Sequence, residues 1–173
     1  MNILKSATGH YEQAGNPDDA DIIVGHSFGT STHPESPNGA LARFILDTED
    51  GRPIVVDRTL AQAFPKSHLV DVVVDGAVSN ATGSMGGSWE TLKVAKEHMG
   101  QVGLERPLMI AQAFHIGRVA MQAERIGMDN IIVPANLPTV FDKGSEQAWT
   151  RSAALWVPRE VVGSWVLRYQ GKL

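Results

Sequence analysis

A histidine and an arginine three residues apart, His115 and Arg118, are the strongest chemical signal in this chain. Both sit in the first turn of a helix forecast over 114–127, where Ile116, Val119, Ala120 and Ala123 fall at i, i+3, i+4 and i+7 and Gly127 can close the end. A first helical turn carries unpaired N–H groups and the positive end of the dipole. An anion is favoured there, with Arg118 as a bidentate clamp and His115 as donor or acid/base. A second signal is Gly25-His26-Ser27-Phe28-Gly29, which fits G-x-S-x-G and would make Ser27 a hydrolase nucleophile with His115 as its base and Asp75 or Asp142 as a loosely placed acid. A nucleophile elbow needs an immediate helix, however, and residues 30–37 hold two prolines. Glu90 is a candidate acid or base in another first turn, where offsetting the helix dipole is the commoner use of a carboxylate.

These groups need elements to position them. The run 108–111 is apolar without alternation, as expected of a strand covered on both faces of a parallel sheet, and it feeds straight into the His115 helix. Further strands are expected at 21–25 (DIIVG), 53–56, 68–75 and 130–134, and helices at 39–47, 59–64, 89–99, 145–157 and 158–170, with Ser88 as an N-cap and Pro158 in a first turn. Residues 1–20 form a polar lead-in ending in an Asn-Pro-Asp-Asp turn. Residues 76–88, rich in glycine and hydroxyls, are expected to be mobile without a ligand and more ordered with one.

Alternation of strands and helices predicts one doubly wound α/β domain over residues 1–173, with a mostly parallel five-stranded sheet and helices on both faces. In such sheets the strand-to-helix loops leave from the carboxyl edge, where ligands bind at the switch in strand order. The topology thus gathers His26, Ser27, Thr30, Ser84, Ser88, Glu90, His115, Arg118 and Asn136 on one rim, with His26, Glu90, His115 and Arg118 in one cleft. The four tryptophans are expected to be packing residues.

Composition narrows the chemistry. The 173 residues are 43% apolar, enough for a core that buries roughly 70% of the unfolded surface. The chain contains no cysteine, which excludes disulfide frameworks, thiolate zinc sites and cysteine nucleophiles. A net charge of −4 with mixed signs offers no basic stripe for nucleic acid. No pair of histidines or carboxylates has helical metal-ligand spacing, and the glycines match no dinucleotide fingerprint. No run approaches the roughly 20 apolar residues of a membrane span, and the N-terminus lacks the apolar stretch of a signal peptide, so a cytoplasmic location is expected.

Several of these segments together resemble the bacterial YdcF, SanA and ElyC family of Rossmann-like domains. The similarity rests on DIIVG at 21–25, Glu90 and Thr91 after a serine-containing loop, LMIAQAFHIGR at 108–118, and Arg159-Glu160 near the C-terminus. The resemblance implies that Glu90, His115 and Arg118 line the family's pocket and that Arg159 and Glu160 belong to its C-terminal signature. It implies a small-molecule ligand, anionic or nucleotide-like, with S-adenosylmethionine among the possibilities. The chain departs from the family at Val56-Asp57-Arg58, where a serine-glycine-glycine is usual, and at Gln112-Ala113, where a serine or threonine is usual. The leading expectation is a binding protein or enzyme of this class. Hydrolysis at Ser27 and a non-catalytic regulatory module are the alternatives.

Overall fold

The structure is a computed structural model that describes residues 7–66, 69–75 and 87–173. Four strands, β1 (Ile22–Gly25), β2 (Ile54–Asp57), β3 (Val72–Val74) and β4 (Pro107–Ile110), form one all-parallel sheet in the order β3-β2-β1-β4. Every residue of β1, β2 and β4 is buried, which is why these runs show no alternation. β3 lies at an edge, and its Val73 is 41% exposed. Among the described residues the connecting helices are α1 (Pro37–Thr48), α2 (Arg58–Ala61), α3 (Gly87–Val102) and α4 (Ile116–Arg125), with α5 (Ala153–Tyr169) closing the chain. α1 packs on β1 and on α2, whereas α3 packs across β1 to β3 and on α4.

Among the described residues the sheet has four strands rather than five. Residues 130–134 approach β4, but only Ile132 bridges to it, through Ile132 N–H to Pro107 O at 2.9 Å and Met109 N–H to Ile132 O at 2.8 Å. Val133 turns instead to an antiparallel bridge with Ala14. Left-handed backbone at Asn130 (φ 54°) and Asn136 (φ 59°) bounds the run, and the diversion of Val133 to Ala14 leaves a single bridge to β4 instead of a ladder. The lead-in therefore helps to complete the fold. Ala14 covers this edge, and Tyr11 Oη accepts the Leu137 N–H at 2.8 Å.

Other boundaries shift for local reasons. α1 starts at Pro37 because Ser36 caps it, accepting the Gly39 N–H at 3.1 Å. Ser88 lies inside α3 and is not its N-cap. The expected pair of C-terminal helices is the single α5, preceded by a 3-10 turn, Ala148–Thr150, with Pro158 held inside the helix. Of the strand expected at 68–75, position 68 lies outside the described residues and among the rest Val72–Val74 forms the strand, preceded by Asp71, whose carboxylate accepts the Ile54 N–H at 2.8 Å. Of the glycine segment at 76–88, residues 76–86 lie outside the described residues, as does Ser84 within it.

Candidate functional site

The strand order reverses between β1 and β4, so the loops leaving their carboxyl ends diverge to opposite sides, the place where sheets of this kind bind ligands. His26 stands at the end of β1, its N–H bonded to Ile110 O at 2.8 Å across that boundary. It is 1% exposed, and neither Nδ1 nor Nε2 has a hydrogen-bond partner among the described residues. The loop beyond it is fixed by Asn38, whose Oδ1 accepts the Phe28 N–H at 2.8 Å and whose Nδ2 donates to Ser31 O at 2.8 Å. Only glycine serves at position 39, since a Cβ there would lie 2.4 Å from Pro34 O and 2.5 Å from His33 O. Asp57, at the end of β2, accepts the Ser27 N–H at 2.7 Å and caps α2 through the Leu60 N–H at 3.1 Å. Burial raises the Asp57 pKa, opposed by those N–H bonds and by the Ser27 hydroxyl.

The start of α4 differs from the expected anion cradle. Gln112 takes its first donors: the side-chain Oε1 accepts the Phe114 N–H at 2.7 Å, and the backbone oxygen accepts from His115 at 2.7 Å and from Ile116 at 3.1 Å. A residue that sequence reading treats as a departure from a family pattern thus accepts the N–H groups of Phe114, His115 and Ile116.

Arg118 is not a rim residue either. It is 6% exposed, and its Nε donates to Glu160 Oε1 at 2.7 Å inside the protein. Arg118 Nη2 also lies 3.0 Å from His115 Nδ1. A guanidinium has no lone pair to offer, so Nδ1 must be the acceptor and the neutral ring must carry its proton on Nε2. That Nε2 is 3.1 Å from Ser88 Oγ, so His115 donates to Ser88. Arg118 therefore fixes the tautomer, and His115 presents an N–H rather than a base to the side of the site where Ser88 stands.

Two links, Arg118 to Glu160 and Trp156 Nε1 to Phe114 O at 3.0 Å, each span 42 residues and tie α4 and the turn before it to α5. Gln122 on α4 and Ser164 on α5 are both fully buried, and their side-chain polar atoms have no partner among the described residues. Aromatic rings enclose the imidazole: Trp156 meets it edge-on at 5.6 Å, and Phe28 packs on Trp156 at 4.5 Å. Arg159 stacks over Trp149 at 4.3 Å.

Burial sets the charge states. It lowers the His26 pKa to about 3, with His115 and Arg118 adding to the shift. It lowers the His115 pKa to about 4, where Arg118 adds to the effect and Glu160 opposes it. For Glu160, burial raises the pKa, but Arg118 and His115 outweigh it and the net shift is downward. Both imidazoles are neutral at pH 7. The charges acting on His115 are then two guanidiniums, Arg118 and Arg159, and one carboxylate, Glu160, an excess of one positive charge.

His26, Ser88, His115 and Arg118 thus belong to one connected or electrostatically coupled group, joined by Glu160. Glu90 does not join it by any hydrogen bond or ion pair: it is exposed on α3 and pairs with Lys93 at 3.3 Å. Ser27 is half-buried beside Asp57, with no hydrogen bond to His115. Thr30 is half-buried in the same loop, and Asn136 is an exposed turn residue with left-handed backbone. Sequence reading missed Asp57 and Asn38; Trp156 is buried as expected of a packing residue, whereas Trp165, expected to pack as well, is 69% exposed. Asp57 had a usable signal, an aspartate directly before a short helical run. Among the described residues, no group of three histidines or carboxylates could hold a metal ion. Comparison of the chain with protein-family models, with curated proteins and with solved structures returned no match to any of them.

Proposed function

We propose that this chain is a Rossmann-like small-molecule-binding domain, akin to the YdcF, SanA and ElyC proteins, that takes an anionic or nucleotide-like ligand in the crevice between the carboxyl ends of β1 and β4. The observation that carries the reading is His26. A buried imidazole without a hydrogen-bond partner costs about 1–3 kcal/mol, and at a topological switch point a ligand would supply the partner that the described residues do not. A neutral His26 offers one donor and one acceptor. The excess positive charge around His115 favours an anionic group on the ligand, and Arg159, which has no carboxylate partner among the described residues, is the cation placed to meet it. Arg118 orients His115 and holds Glu160.

The test is thermal denaturation at neutral pH with inorganic phosphate, AMP or S-adenosylmethionine. A ligand at a hundred times its Kd adds about 2.7 kcal/mol, a shift of roughly 5–10 °C for a domain of this size. His26→Phe and Arg159→Gln should each remove most of that shift while remaining folded. Absence of any shift with all three probes, or an undiminished shift in both variants, refutes the reading.

A further inference from the structure

Helix α5 is apolar on two opposite sides, and only one of them is used. Trp156, Gly163 and Leu167 face the protein together with the buried Glu160 and Ser164. Leu155, Val162, Trp165, Val166 and Tyr169 face out, at 50%, 63%, 69%, 44% and 95% exposure. Their spacing of three, four and seven residues puts them on one stripe, with the exposed Pro158 between the first two. A helix that is apolar all round is normally covered all round. Trp165 and Tyr169 alone expose about 300 Å², already the size of the largest apolar patch on many monomers.

The charge beside this stripe identifies what covers it. The chain as a whole carries −4, yet from residue 151 onward it holds Arg151, Arg159, Arg168 and Lys172 against one acid, Glu160, which is buried and paired with Arg118. The outward surface of α5 therefore has bases and no acid. A second copy of this helix would bring the same bases together with nothing to offset them. An anionic lipid surface offsets them, and tryptophan and tyrosine next to arginine and lysine are the side chains that settle at the level of lipid headgroups.

We propose that α5 docks this protein on anionic bilayers, the helix lying along the headgroup plane with Val162, Trp165 and Tyr169 inserted and Arg168 and Lys172 among the phosphates. The inference is independent of the crevice ligand, and its test needs none. The full chain is sedimented with vesicles of phosphatidylcholine alone and with vesicles of equal parts phosphatidylcholine and phosphatidylglycerol. The protein should pellet with the anionic vesicles, and its tryptophan emission should shift to the blue. Replacing both Arg168 and Lys172 by Gln should weaken binding about 30-fold, each base near a headgroup surface contributing about 1 kcal/mol. Trp165→Gln should abolish most of the emission shift, and both variants should melt as the wild type does, because Trp165 and Arg168 are exposed and Lys172 is half-exposed beyond the end of α5. Failure to bind anionic vesicles overturns the proposal. So does equal binding to neutral ones, or a sedimenting dimer that Val162→Glu dissociates.

Discussion

Acid should unfold this protein unusually early, because two imidazoles are buried in their neutral forms. In the unfolded chain each titrates near pH 6.5, whereas His115 and His26 are held down to about 4 and about 3. Below about pH 6.5 the unfolded state binds protons that the folded state refuses, so stability falls as pH falls, by up to about 1.4 kcal/mol per pH unit for each histidine. The loss continues until pH passes the folded values. Between about pH 7.5 and 5 each imidazole removes about 2 kcal/mol and the two together about 4 kcal/mol, against a total of roughly 5–15 kcal/mol for a domain. His26→Leu isolates half of this. The variant loses one proton site and also two unpartnered polar atoms, so it should match or exceed the wild type at neutral pH and be about 2 kcal/mol more stable at about pH 5. Urea denaturation followed by tryptophan fluorescence across that range measures both slopes. A wild type whose stability is flat from neutral pH to about 5, or a variant whose slope parallels that of the wild type, would refute the assignment of buried, neutral histidines.

Two further substitutions probe the supports of the site. Arg118→Ala leaves the Glu160 carboxylate buried without its cation and should cost about 3–5 kcal/mol in chemical denaturation, with the double variant Arg118→Met, Glu160→Leu recovering much of it; a cost below about 1 kcal/mol would show that water screens the pair. Gly39→Ala forces a Cβ against the Pro34 and His33 carbonyl oxygens and should cost about 1–3 kcal/mol, together with faster proteolysis of the loop after β1; an unchanged melting temperature would mean that this loop yields freely.

The sheet was legible from sequence wherever burial on both faces erases alternation, as at residues 22–25, 54–56 and 108–110. The fifth strand was not. An apolar run over 130–134 has the right composition, but Val133 pairs with Ala14 in the lead-in instead of continuing along β4, and a pattern of apolar residues does not register that distant partner. The single helix α5 hid behind Pro158, a residue more often found in a first turn. For the site, spacing placed His115 and Arg118 on the same side of one helix, and they do touch. Spacing could not show that Arg118 points inward. That depends on Glu160, 42 residues away, and on a helix register that no local pattern encodes. The same limit explains Gln112, whose self-capping of the helix start can be seen only once the turn is built.

The buried ion pair gives the site its direction. Glu160 alone beside His115 would draw a proton onto the ring, and burial alone would leave either neutral tautomer open. With Arg118 between them, bonded to Glu160 through Nε and to His115 through Nη2, the imidazole stays neutral and its proton is confined to Nε2. Ser88 then receives a hydrogen bond from the histidine instead of losing a proton to it. A Ser-His hydrolase needs the opposite polarity, with the imidazole lone pair turned to the serine. The cluster therefore fixes the polarity of its hydrogen bonds: the His115 N–H is directed to Ser88, neutral His26 keeps one donor and one acceptor unpaired among the described residues, and Arg118 and Arg159 both act on His115. Donors beside guanidiniums stabilise anions and carbonyl oxygens, and this is the chemistry on which the proposed reading rests.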